Sequence, residues 1–397
     1  MTDDLLRFRG EFPILETSTY LVSNSLGAMP RAARDELARY ADDWATHGVR
    51  AWARGWWELP VKVGDEIAPL IGAQAGEVAM VPTVTMAQAQ VIAALDYSAP
   101  RDGIVMTALD FPSVRYVYDG LARRLGARIE VVPGTADGLG VDLERLLAAI
   151  DERTRLVAIS HVLFRSAYVM DVAAICRRAR EVGALVSLDA YHSVGVIPVD
   201  VRALGVDFLA GGVLKWLCGG PGGCFLWANP ATTGELLPTL TGWQAHAHPF
   251  DFADEMEHAA GAWRWLGGTP VVPALYANAA GPRILREAGI TNVRAKSLRQ
   301  TGRLIALADA RGWTVNAPRD PERRGGTVAI DVPNAYAVAQ ALIARDVVID
   351  YRPGAGIRIA PHFYTTDAEL EAVVAAIDEI LATGEWKAHQ ARSSVVT

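Results

Sequence analysis

Ala184-Leu-Val-Ser-Leu-Asp189-Ala-Tyr-His192 reads as a buried strand that runs directly into a carboxylate and then an imidazole. Apolar runs of similar length recur on either side of it, at 77–81, 103–107, 128–132, 155–160, 207–210 and 223–227, with helical patterns at 112–126, 141–151 and 171–182. This alternation, from about residue 65 to 230, predicts an α/β fold: a mostly parallel central sheet with helices on both faces. Ligands of such sheets bind beyond the carboxyl ends of the strands, which is where Asp189 falls.

After residue 270 the pattern changes to a long helical stretch, a few strands and a final helix. Thr366 and Glu369 have the spacing of a capping box, and Leu370, Val373, Val374, Ile377 and Leu381 line one face of the helix that follows. We therefore expect three parts: residues 1–45, an N-terminal segment packing with the small domain; 46–270, a large domain; and 271–397, a smaller C-terminal α+β domain.

The 397 residues are 51% hydrophobic and 21% charged, a globular composition. A net charge of −7 with no basic run disfavours nucleic acid as a partner. Cys176, Cys218 and Cys224 form neither a disulfide framework nor a zinc-ligand pattern, and His246 and His248 are too isolated for a metal site. No apolar signal segment opens the sequence and no stretch is long enough to span a bilayer, so a reducing cytoplasm is the expected compartment.

Downstream of His192 lies Asp207-Phe-Leu-Ala-Gly-Gly-Val-Leu-Lys215-Trp-Leu-Cys-Gly-Gly-Pro-Gly-Gly-Cys224, an apolar, glycine-rich stretch around one of only four lysines in the chain. A buried ammonium lowers its pKa or forms a bond. Alone, Lys215 would be read as a lysine whose stem lies on apolar surface while its head reaches water. Asp189 alone would be read as a cap or turn residue. Together, a strand and a turn apart, they are the kit for pyridoxal 5'-phosphate: the carboxylate keeps the pyridine nitrogen protonated and the lysine holds the aldehyde as an imine. The phosphate needs donors, and Pro82-Thr83-Val-Thr85 follows another strand, where either threonine could cap a helix whose free amides face a dianion.

A set of motifs extends this reading over nearly the whole chain. They are Tyr20-Leu-Val-Ser-Asn24-Ser-Leu-Gly27, Asp110-Phe111-Pro112-Ser113, Ser160-His161-Val-Leu-Phe164-Arg165-Ser166, Asp189-Ala-Tyr-His192-Ser-Val-Gly195, Gly205-Val-Asp-Phe, Lys215-Trp-Leu-Cys-Gly-Gly-Pro-Gly, Gly242-Trp243, Gly268-Thr269-Pro270 and Gly356-Ile-Arg358-Ile-Ala-Pro361. Their order resembles that of kynureninases, within the class V aminotransferase group of fold-type I pyridoxal-phosphate enzymes. The resemblance implies that Lys215 carries the cofactor, Asp189 meets its ring nitrogen, Phe111 stacks on the ring, Thr85 binds phosphate and His192 lies beside the cofactor in a supporting role. It implies that Arg358 grips the substrate carboxylate, a task suited to a bidentate fork, with Asn24 also assigned to substrate. Trp243 and Thr269 match positions that reach the phosphate from a neighbouring subunit, which implies a homodimer with shared active sites.

The chain also departs from the family. Kynureninases generally place a tyrosine immediately before the lysine, whereas this chain has Leu214. Tyr191 stands where the family usually has a small residue, and one hypothesis is that its phenol takes over part of the lost function, as a catalytic group. Gly268 replaces an asparagine that some kynureninases direct at the substrate ring. The expected reaction is hydrolytic Cβ–Cγ cleavage of kynurenine or a related L-amino acid. The alternatives are a class V aminotransferase or β-eliminating lyase, and an inactive cofactor-fold protein retained for regulation or binding. A desulfurase reading is less attractive because no cysteine follows Cys224. Retention of Lys215, Asp189 and Arg358 argues against an inactive protein.

Overall fold

The structure, a computed structural model, describes residues 3–390. Its centre is a seven-stranded sheet made by β2 (Val78–Val81), β3 (Gly103–Thr107), β4 (Arg128–Val132), β5 (Thr154–Ser160), β6 (Leu185–Asp189), β7 (Phe208–Gly212) and β8 (Cys224–Ala228), following β1 (Thr19–Tyr20) in the chain. The spatial order is β2-β8-β7-β6-β5-β3-β4, and β8 alone runs antiparallel to the rest. The predicted strands all form, with ends displaced by one or two residues. β6 and β7 are buried along nearly their whole length, as central strands covered on both faces must be, so they read as continuous apolar runs. Helices Pro112–Leu125, Leu143–Ala149 and Val172–Glu181 fill the predicted connections.

The second sheet has four antiparallel strands in the order β12-β13-β10-β9, where β9 is Thr314–Val315, β10 Val328–Asp331, β12 Asp350–Arg352 and β13 Gly356–Ile359. A separate apolar core joins it to helices Ile290–Asp309, Ala335–Ala344 and Asp367–Thr383. The last helix begins as expected: Thr366 Oγ1 accepts the Glu369 N–H and the Glu369 carboxylate accepts the Thr366 N–H. β1 pairs in parallel with β11 (Val347–Val348), and the Ala360 N–H donates to Leu21, so the chain's first residues are stitched to this sheet. Helix Arg31–His47, which no sequence pattern singled out, buries only Ala33 fully and takes its place by lying along Val272–Asn278. No described helix is long and apolar enough to cross a membrane.

The small sheet meets the Lys215 loop through His362. Its Nε2–H donates to the Trp216 carbonyl at 2.8 Å, and burial pushes its pKa down to about 3. Below about pH 6.5 the unfolded chain protonates this imidazole and the folded chain does not, so folding stability falls as pH falls towards 3. Buried Asp110 and Asp189, whose pKa values burial raises, act in the opposite sense. Comparing wild type with His362→Gln isolates the histidine. The stability advantage of wild type over the variant should shrink by roughly 2 kcal/mol between pH 7 and pH 5 in urea titrations. A pH-independent difference would show that His362 titrates alike in the folded and unfolded states.

Candidate active site

A cleft of about 370 Å³ opens at the carboxyl ends of the large sheet, within the roughly 300–1,000 Å³ typical of small-molecule sites. Each of its principal residues follows a different strand: Thr85 after β2, Phe111 after β3, Asp189 at the end of β6 with Tyr191 and His192 beyond it, and Lys215 after β7. Asp110 ties together the ends of β3 and β5. One of its oxygens accepts the Thr107 N–H at 2.8 Å and the Thr107 hydroxyl at 2.9 Å, and the other accepts the Ser160 N–H at 2.7 Å. Phe111 is thereby held at the cleft mouth, more than a third exposed, against the edge of Phe164.

Lys215 is half-buried at the centre. Its Nζ lies 2.6 Å from His192 Nε2, 4.6 Å from the Tyr191 ring centroid and 5.5 Å from that of Phe111. Desolvation lowers its pKa, opposed by the attraction of Asp189. Desolvation likewise raises the Asp189 pKa, against the Tyr191 N–H that donates to it at 2.9 Å and the charge of Lys215. His192 is driven far below its ordinary range by burial and then by Lys215, Arg358 and Arg352, so its imidazole is neutral. The lysine loop depends on close backbone approach: a Cβ on Gly27 would sit 2.2 Å from the Lys215 carbonyl oxygen, and one on Gly212 would sit 2.1 Å from the Tyr191 ring. No side chain larger than hydrogen fits either position without movement.

Thr83, not Thr85, caps the helix after β2, accepting the Met86 N–H at 3.2 Å; Thr85 lies in its first turn and lines the cleft. The free amides of that turn face the same space as Lys215 and Asp189. A buried carboxylate wanting a positive partner, a lysine held in an apolar setting, an exposed aromatic face and a helix N-terminus form the donor set that pyridoxal 5'-phosphate requires. Asn24, expected at the substrate, does not line the cleft; it is 1% exposed and neither its Oδ1 nor its Nδ2 has a hydrogen-bond partner.

Not every expected residue joins this cleft. Trp243 is exposed and packs with Trp57, Phe250 and Phe252, and Thr269 is exposed as well; neither lines the cleft within one chain. Trp52 and Trp56 pack with Tyr40 in a separate cluster, in which Trp56 donates to the Tyr276 hydroxyl at 3.0 Å. His246 accepts the His248 N–H in a surface loop. Arg358 does not line the cleft; it is buried and already bonded on one edge to Asp350, a residue that motif reading missed. The signal was present: Arg352-Pro-Gly-Ala-Gly356 reads as a turn, and a hairpin folded there sets Asp350 opposite Arg358. Leu214 and Cys224 also line the cleft.

Residues 19–369 match the class V aminotransferase family. A kynureninase of Pseudomonas fluorescens is 34% identical, with 97% of this chain and 94% of the relative aligned. A kynureninase of Burkholderia pseudomallei (strain 1106a) is 32% identical over the same shares. Among solved structures, the apo cysteine desulfurase of Thermococcus onnurineus NA1 superposes with a TM-score of 0.84 at 22% identity, covering 95% of this chain and 98% of that one. The Escherichia coli cysteine desulfurase CsdA superposes at 0.81 with 20% identity, covering 96% and 99%. At such identities these structures speak for the fold, which is that of the fold-type I enzymes. The chain belongs to the class V aminotransferase family, a group of pyridoxal-phosphate-dependent enzymes.

Proposed function

We propose that the protein hydrolyses the Cβ–Cγ bond of kynurenine, or of a closely related aryl-ketone L-amino acid, giving alanine and an anthranilate. The observation that carries this reading is likeness to kynureninases along almost the full chain, joined to a cleft that gathers Lys215, Asp189, Thr85, Phe111 and His192. When bound, pyridoxal 5'-phosphate supplies the electron sink for charge that develops at the amino acid's Cα. Asp189 provides the anion facing the ring nitrogen, and Thr85 with the helix N-terminus provides donors for the phosphate. Burial biases Lys215 Nζ towards the neutral amine, which takes the proton from Cα, and neutral His192 receives the hydrogen bond that orients it. Arg358 faces the substrate carboxylate with the part of its fork that Asp350 leaves open. Trp243 and Thr269 serve the phosphate site of a second copy in this reading, and the exposure of both, with Trp243 packed against Phe250 and Phe252, supports it.

Leu214 favours a second reading, because the cleft has no hydroxyl at that position. Tyr191 is the phenol nearest to Lys215 along the cleft wall, and its own hydroxyl has only Cys224 Sγ, at 3.7 Å, as a partner. If that phenol moves a proton late in the reaction, Tyr191→Phe should lower kcat at least about tenfold with KM little changed. Unchanged turnover would remove Tyr191 from the chemistry. The deciding assay for the reaction itself supplies L-kynurenine, 3-hydroxykynurenine and a panel of L-amino acids to the cofactor-loaded enzyme. Release of alanine with an anthranilate is the expected result; keto acid or an elimination product would move the protein to transamination or lyase chemistry.

A further inference from the structure

Arg358 is held before any substrate arrives. Its Nε donates to Asp350 Oδ1 at 2.7 Å, its Nη2 donates to Asp350 Oδ2, and its Nη1 donates to the Phe164 carbonyl at 2.6 Å. Asp350 and Arg358 stand directly opposite each other in the antiparallel β12–β13 pair, and both are buried. Arg352, two residues along β12 and hence on the same face, lies 3.2 Å from Asp350 Oδ2. A guanidinium carries five N–H groups in one plane. Asp350 takes the side edge formed by Nε and Nη2, and Phe164 takes one hydrogen of Nη1. One N–H therefore remains on each terminal nitrogen, the pair that meets a carboxylate end-on.

We propose that Asp350 is a positioning residue: it locks the side edge of Arg358 so that the terminal edge alone is offered to a substrate monocarboxylate. The proposal rests on the reading of Arg358 as the carboxylate grip. Arginine has long rotamer freedom, and holding it by strand register removes that freedom before binding. The Phe164 carbonyl adds a second fixed point, from the segment whose side chain braces Phe111. Orientation, rather than charge, is then what Asp350 supplies. Indeed its charge works against an incoming anion, so charge and position predict opposite outcomes when Asp350 is changed.

The probes are 4-oxo-4-phenylbutanoate and its carboxamide, which carry no amine and cannot react, titrated calorimetrically into the cofactor-loaded protein. Wild type should prefer the acid by at least about tenfold, the worth of a charge-assisted pair. Asp350→Glu keeps the charge and moves it by one methylene, and the preference should fall to within about twofold while amide binding is unchanged. Asp350→Asn keeps the shape but sets a donor against the Arg358 donors, and should lose preference likewise. A preference retained in Asp350→Glu, or acid binding that tightens in Asp350→Asn, would overturn the positioning role and leave the proposed reaction untouched. A wild-type protein indifferent to acid and amide would overturn the role of Arg358 and this proposal with it. Since no turnover is needed, an enzyme that proves not to release anthranilate can still pass this test.

Discussion

Replacing Lys215 with alanine is expected to lower kcat by at least about 10³-fold, at the upper end of what one positioned base supplies. Lys215 is the one lysine in a cleft otherwise lined by Leu214, Phe111, Tyr191 and other uncharged groups apart from Asp189. His192 cannot take its place: it is neutral, buried, and reached through the same Nζ. The substitution removes a stem and an ammonium whose desolvation the fold tolerates at a cost, so the variant should fold and keep its thermal midpoint within a few degrees. Two readouts separate lost chemistry from lost structure. The visible spectrum of the loaded protein should change, since the lysine proposed to carry the cofactor would be gone. Added methylamine, which is small enough for the vacated space, should restore part of the turnover as its concentration rises. Turnover within tenfold of wild type would place the base elsewhere and sink the assignment of Lys215.

How much of this was readable beforehand depends on whether a feature is local. The parallel sheet was legible because strands buried on both faces write themselves as unbroken apolar runs, as at 154–160 and 185–189. The last helix was legible because Thr366 and Glu369 cap each other within one turn. Asp189 and Lys215 could be paired because each ends or follows such a run. Helix Arg31–His47 was not legible, because its main contact is with a helix more than two hundred residues away and it buries only Ala33 fully. Motif likeness identified Arg358 but not the carboxylate that holds it, since Asp350 acquires its meaning only through strand register. The cap on the helix after β2 fell to Thr83 instead of Thr85, a choice that one residue of backbone geometry makes and composition does not. Trp243 and Thr269 lie beyond reach of one chain's own cleft, so no fold of a single copy could have displayed their expected use.

Asp189→Asn should cost roughly 10²–10³-fold in kcat, the loss seen when one preorganised electrostatic partner is removed from a buried site. The side chain keeps its shape. Its oxygen can still accept the Tyr191 N–H that Asp189 accepts at 2.9 Å, which directs the new amide donor towards the cleft in place of an oxygen. In the proposed arrangement a protonated ring nitrogen would then meet a donor instead of an anion, and the cofactor should dissociate faster during gel filtration. The same substitution also acts on Lys215. Asp189 is the largest influence holding the lysine's pKa up against desolvation, so its neutralisation should lower that pKa further. In cofactor-free protein the pH midpoint for reductive methylation of Lys215 should accordingly move down in Asp189→Asn, the amine becoming reactive at lower pH. Asp189→Glu, which keeps the charge, should move it less. If the midpoint is the same in wild type and Asp189→Asn, the two groups are not electrostatically linked, and the loss of turnover would have to come from the ring nitrogen alone.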